Sequence, residues 1–212
     1  MMKYFGVPLG MWALFERSFR VHLSSEFGLD KKTARSVSKK AKAKYKGIIR
    51  SLPQFEKGDR FKINIVNCAM LCSFVLSMPE RPTVGALTGY YAKAMMTGMM
   101  KWFCKKSGKK KFSAEDIAAM KKAAAKRYAD RNPYSWNMEY REYSDGSGYE
   151  ARFFTCGICA LTKKLGLFDL TPALCRLDYT MSEAGGASDF VREYTLASGG
   201  EYCDCGYKKH TV

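Results

Sequence analysis

The sequence predicts an α+β protein: an N-terminal helical region of about five helices, followed by a small antiparallel sheet with two helices. Three observations carry this. Through residues 1–133, apolar residues recur at three- and four-residue spacing between capping and breaking residues, the pattern of amphipathic helices. After Pro133, apolar and polar residues alternate between Gly-rich turns, in the order strand, strand, helix, helix, strand, strand. The charge changes at the same place. Residues 1–133 hold 28 Lys and Arg against 9 Asp and Glu, a net of +19, whereas residues 134–212 hold 8 against 11, a net of −3. The expected organisation is therefore a basic helical region, 1–133, and a Cys-rich α+β region, 134–212, packed as one unit. With 212 residues, 47% of them apolar, the chain can bury a substantial core and does not have the composition of a disordered one.

The first helix is expected over 8–27, with Pro8 in its first turn and Gly28 as its stop. Met11, Leu14, Phe15, Phe19 and Leu23 form its buried stripe. Asp30 caps a second helix over 31–52, which Pro53 ends. A third, 58–78, carries Phe61, Ile65, Cys68, Ala69, Cys72 and Leu76 on one face. A fourth spans 83–107 and a fifth, opened by Ser113, runs to 130 before Asn132-Pro133. A hairpin follows over 135–155, turning at 144–148. Helices are expected over 156–165 and 171–183, then strands over 190–197 and 202–208.

No run of about 18 apolar residues occurs, so no membrane-spanning helix is expected. The N-terminus lacks the uninterrupted apolar block and cleavage site of a signal peptide, which makes a cytoplasmic location the expectation. The eight Cys then read as reduced thiols, metal ligands or catalytic groups rather than a disulfide framework. Two Lys runs dominate the charge, one over 31–50 and one over 101–127. They admit phosphate binding, by nucleic acid or lipid headgroups. A solvated helix face is preferred, because Lys dominates over Arg and the aromatics sit at apolar helix positions.

Five Cys fall in the last 57 residues: Cys156, Cys159, Cys175, Cys203 and Cys205. Cys156 and Cys159 form a C-x-x-C where a strand runs into a helix. Cys175 and Asp178, three apart, share a helix face. Cys203 and Cys205 share a strand face. Thiolates with one carboxylate suit zinc or an iron–sulfur cluster, with Cys156, Cys159 and Cys205 as candidate ligands, although the second pair is C-x-C and not the knuckle of a zinc ribbon. Redox chemistry at the C-x-x-C lacks the βαβ context of a thioredoxin motif. The two His, His22 and His210, lie far out in the chain, so a Cys–His or Ser–His–Asp engine is not expected. Acid–base work then falls to carboxylates, thiols, Tyr, Lys or metal-bound water.

The stretches 170–179 and 190–205 carry a Cys-x-x-Asp on a helix (Cys175, Asp178), then Arg192, Thr195, Ala197 and Gly199 leading into Cys203-Asp204. This arrangement resembles the L-2-amino-thiazoline-4-carboxylic acid hydrolase family. The resemblance implies a ring-opening hydrolase acting on a small-molecule thiazoline that bears a carboxylate, with N-carbamoyl-L-cysteine as product. Water adds at the carbon between ring sulfur and ring nitrogen, and the carbon–sulfur bond breaks. Such chemistry needs an activated water or thiolate (Asp178 or Cys175), an acid for nitrogen (Asp204 or Glu183) and a cation for the carboxylate (Arg192 or Arg176). Cys203 stands with the catalytic group and Thr195 with the substrate-binding one. The alternative is a metal- or small-ligand-binding sensory module, with the Cys cluster as its site and the basic helices as a partner surface.

Overall fold

A computed structural model describes residues 1–128 and 130–210. Six helices come first. Helix α1 (Val7–Phe27) stops at Gly28, whose left-handed conformation returns its own amide to the Ser24 carbonyl and the Leu29 amide to that of Leu23. Helix α2 (Lys31–Ser51) starts at Asp30, whose carboxylate accepts from the amides of Lys32 and Thr33. Helix α3 (Lys62–Val75) is buried on all sides from Ile65 to Val75, apart from Asn67, and forms the centre around which α1 and α2 pack. Its apolar residues therefore spread around the whole circumference and not along the single face that the spacing suggests.

The expected helix over 83–107 is two helices, α4 (Val84–Met95) and α5 (Gly98–Gly108). Met96 leaves helical geometry, and Thr97 opens α5 by accepting from the amide of Met100. Helix α6 (Ala114–Arg127) begins at Ser113, as expected. In α1 the stripe holds for Met11, Phe15, Phe19 and Leu23, but Leu14 is exposed, and Trp12, stacked on Phe74 of α3, takes the inward place.

The second part is one antiparallel sheet of order β1-β2-β4-β3, built from β1 (Met138–Glu142), β2 (Gly148–Phe153), β3 (Ser188–Val191) and β4 (Cys203–Lys209). Between β2 and β3 lie α7 (Gly157–Lys164), α8 (Thr171–Cys175) and α9 (Leu177–Gly185). The third strand is shorter than expected. After Val191 the chain leaves the sheet and closes a 3-10 turn over Leu196–Ser198, capped by the Thr195 hydroxyl. Register places Phe153, Ala151 and Tyr149 opposite Cys203, Cys205 and Tyr207. These residues, with Phe190, face the helices. Glu150, Arg152 and Asp204 belong to the other face.

A single apolar core runs from α1 to β4 and draws on both halves of the chain. Helices α7 and α9 link the bundle to the sheet: α7 packs on α3, and α9 packs on β3 and α5. Among the described residues, no helix is long and apolar enough to cross a membrane.

Candidate active site

The sheet's inner face brings the chemistry-bearing residues of the C-terminal part together at one side chain, Arg192. It stands just after β3, where the chain turns off the sheet, and only 5% of its side chain is exposed. Its Nη2 donates to Asp178 Oδ2 at 2.6 Å and to Cys205 Sγ at 2.9 Å. Its Nη1 donates to the Cys175 carbonyl at 3.0 Å. One guanidinium thus ties α9, the end of α8 and β4 into a unit, as its planar fork of donors allows. Phe190 lies under it, with the ring centroid 4.6 Å away. Its Nε is buried and has no partner among the described residues. Burial would lower the basicity of this group, but Asp178 and Cys205 beside it outweigh that and raise it. Asp178 is the open edge of the unit, with 46% of its side chain exposed.

The thiols behind this edge are protonated at neutral pH. Burial pushes Cys175 up to about 12, against the pull of Arg192. Burial raises Cys203 and Cys205 in the same way. Cys156, at the N-cap of α7, is raised by its hydrogen bond with Cys159 and by burial. Cys68 is raised by its bond to Cys72, 3.8 Å away on the next turn of α3, by burial, and by Cys156 and Cys159 nearby. The central helix and the C-terminal part thus share one thiol-lined interior. The start of α7 is fixed there by Gly157, where a Cβ would come within 2.1 Å of the Tyr134 carbonyl oxygen.

Several expected site residues stand elsewhere. Asp204 points to the other face of β4, where Oδ2 and Oδ1 accept from the amides of Glu193 and Tyr194 at 2.8 and 2.6 Å. It holds the loop after β3 and does not join Arg192. Thr195 caps the 3-10 turn, its Oγ1 accepting from the Ser198 amide at 3.0 Å. Glu183 is exposed on α9, five residues beyond Asp178 and so on a different side of the helix. Arg176 is exposed, with its guanidinium 5.3 Å from the Tyr179 ring centroid and no ion pair among the described residues. Cys203 accepts from the Leu196 amide through its sulfur at 3.2 Å. Neither His approaches the unit: His22 meets Ser25, and His210 meets Asp189.

Among the described residues, no group of three or more His, Cys, Asp or Glu is arranged to hold a metal ion. Cys156, Cys159 and Cys205 accordingly do not form the ligand set that their spacing offered, because β4 and the start of α7 present their thiols to different neighbours.

Sequence reasoning did not single out two tyrosines and a lysine around the same centre. Tyr91 of α4 has its hydroxyl raised by burial and then by Cys68 and Asp178. Tyr207 of β4 is raised by burial, then by Asp178 and Cys205. Lys111 lies with Nζ 3.2 Å from the Tyr207 ring centroid. The period of β4 places Tyr207 beside Cys205 and so contained that part of the signal, whereas Lys111 looks like any other member of its Lys run.

An apolar hollow of about 10 Å³ lies behind the thiols, lined by Leu71, Cys72, Val75, Leu87, Thr162, Leu167, Leu170 and Leu174. A wider polar cleft of about 420 Å³ lies elsewhere, between Gln54, Glu56 and Asp59 on one wall and Lys126, Arg127, Asp130, Arg131 and Asn132 on the other. None of the expected site residues lines it, and its buried Arg127 is already bonded to Asp59 and Ser135.

No curated protein and no solved structure matches the chain. The profile of a family described as L-2-amino-thiazoline-4-carboxylic acid hydrolase matches residues 83–207, from the start of α4 through most of β4. This span is more than half of the chain and includes α8, α9, Arg192 and the Cys203–Cys205 strand, so the chain belongs to the L-2-amino-thiazoline-4-carboxylic acid hydrolase family.

Proposed function

We propose that the protein opens the ring of a small cyclic amidine or thiazoline carboxylate, taking L-2-amino-thiazoline-4-carboxylate to N-carbamoyl-L-cysteine, at the edge formed by Asp178. The observation that carries this reading is the convergence of Cys175, Asp178 and Cys205 on the guanidinium of Arg192, inside the span that defines the family. Asp178 is the group that takes the proton from the attacking water. It is the exposed member of the unit, and Arg192 fixes one of its oxygens while leaving the other for water. Cys175 is not the nucleophile in this reading, since burial keeps its thiol protonated at neutral pH. Arg192 is a positioning residue, with two of its nitrogens already engaged. The cation for the substrate carboxylate is Arg176, exposed beside Tyr179 and with no ion pair among the described residues. Water's oxygen joins the carbon between sulfur and nitrogen. The ring nitrogen takes up the proton relayed by Asp178 as its double bond to that carbon becomes single, and the carbon–sulfur bond breaks as the carbonyl forms, the departing thiolate taking the second of water's two protons.

The test is incubation with the thiazoline acid and chromatographic detection of N-carbamoyl-L-cysteine, with circular dichroism as the control for folding. Asp178→Asn is expected to lower kcat by roughly 100-fold or more, the range of a lost general base. Arg176→Gln is expected to act mainly on KM. Absence of product from the wild-type protein, or an unaltered rate in folded D178N, overturns the reading.

A further inference from the structure

Helix α5 carries an outward ridge that the site does not use. It packs against α9 through Cys104 and Gly108, with Cys104 its only buried residue. At about 100° per residue, Met99, Trp102, Phe103 and Lys106 fall on the side opposite this contact. Their exposure agrees: Met99 is 47% exposed, Trp102 60% and Phe103 51%. An exposed Trp next to an exposed Phe is a costly surface in water, and the aromatics of this helix are not the core residues that spacing suggested. Around the ridge stand Lys101, Lys105, Lys106, Lys109 and Lys110, all exposed, with no acidic residue in the helix. None of the five forms an ion pair among the described residues. The C-terminal helix dipole accounts for Lys105 and Lys106 in the last turn, but not for Lys101 or the two aromatics.

We infer that α5 is a membrane-surface docking element. Trp102 and Phe103 enter the headgroup region of an anionic bilayer, and the lysine collar engages lipid phosphates and carboxylates. The observation that selects this partner is charge complementarity combined with an apolar tip. A collar of ammonium groups with no competing acid fits a diffuse anionic plane, and a Trp–Phe pair fits the water–hydrocarbon boundary. A nucleic acid would satisfy the lysines but leave the convex side chains of Met99 and Phe103 in water. Because α5 packs on α9, docking places the helix that bears Asp178 one layer in from the bilayer. Nothing in this inference depends on the identity of the substrate.

Flotation of the full chain with vesicles tests it. Phosphatidylcholine vesicles are compared with phosphatidylcholine–phosphatidylserine vesicles, and Trp emission is read in parallel. Trp12 and Trp136 are buried, so a blue shift on binding reports Trp102. Binding is expected only with phosphatidylserine, at low salt, and is lost at about 1 M salt, where the screening length is about 3 Å. Replacing Lys101, Lys105 and Lys106 together by Gln is expected to weaken partitioning on the order of 100-fold. Trp102→Ala abolishes the emission change, and both variants keep the circular dichroism and the turnover of soluble substrate of the parent. No binding to phosphatidylserine vesicles at low salt overturns the inference, as does undiminished binding by the triple variant. Two further results overturn it when vesicles are not bound: a salt-sensitive complex with DNA, or a concentration-dependent dimer that Trp102→Ala dissociates.

Discussion

Arg192 shows how much one residue organises. Its two terminal nitrogens bridge a carboxylate, a thiol and a backbone carbonyl that come from three different elements. A lysine, with a single nitrogen at the end of a flexible stem, has no equivalent geometry. Lys111 is the contrasting cation. It is half-buried over the rings of Tyr207 and Tyr149, at 3.2 and 4.9 Å from their centroids, and forms no ion pair among the described residues. Burial pulls it down to about 8, Asp116 works in the opposite direction, and Arg60 adds to the fall. An unfolded lysine titrates near 10.4. Below about pH 8 both states carry the proton, and the folded state bears the full cost of the buried charge. Between the two values the unfolded chain binds more protons, so this cost fades as pH rises. Cation–π attraction offsets part of it. Lys111→Met is therefore expected to raise stability by about 1–2 kcal/mol at pH 7, with the gain shrinking between about pH 8 and pH 10. Urea unfolding of both proteins at the two pH values measures this, and a loss of stability at pH 7 refutes it.

At the scale of elements, the contact between α5 and α9 rests on the absence of a side chain. A Cβ on Gly108 would lie 2.3 Å from the carbonyl oxygen of Gly185 and 2.9 Å from its carbonyl carbon. Those are backbone atoms at the end of α9, which cannot swing aside as a side chain would, so Gly108→Ala must separate the two helices. Overpacking of this kind typically costs 1–3 kcal/mol, and because Gly108 is the last residue of α5, alanine's better helix propensity returns well under about 1 of that. Gly47, in the C-terminal part of α2 but still inside the helix, is the control, because its added Cβ meets nothing within 4 Å. Gly47→Ala is expected to stabilise the protein by about 0.5–1 kcal/mol, and Gly108→Ala to destabilise it by about 1–2 kcal/mol. Thermal melts of the two variants should move in opposite directions. A neutral Gly108→Ala would mean that the helices are not held at this separation.

At the scale of the molecule, the sequence could be read wherever a local rule governs. Asp30, Ser113 and Gly28 mark helix ends because capping is local. Cys203 and Cys205 share a face because strand side chains alternate, and the same rule sends Asp204 the other way. What could not be read depends on long-range packing. Helix α3 is buried all round, so it has no face to detect, and the Arg192–Asp178 pair joins elements that only the sheet brings together. The thiol interior is a further product of that packing, and it has a consequence for pH. Cys68, Cys156, Cys175, Cys203 and Cys205 all have folded values raised by burial and by one another, Cys175 to about 12. An unfolded thiol titrates near 8.5. The folded state thus holds protons that the unfolded chain releases, and stability is intact below about pH 8.5 and falls as pH rises toward the folded values. Each such thiol contributes a slope of about 1.4 kcal/mol per pH unit, and two acting fully give about 3, against a total stability of about 5–15 kcal/mol. Lys111 opposes this with a single proton and is outnumbered. Under reducing conditions the Tm is expected to hold level from pH 7 to about 8.5 and then to fall steeply by pH 10. A Tm that stays flat or rises over that interval would mean that these thiols meet solvent in the folded protein and that the interior described here is open.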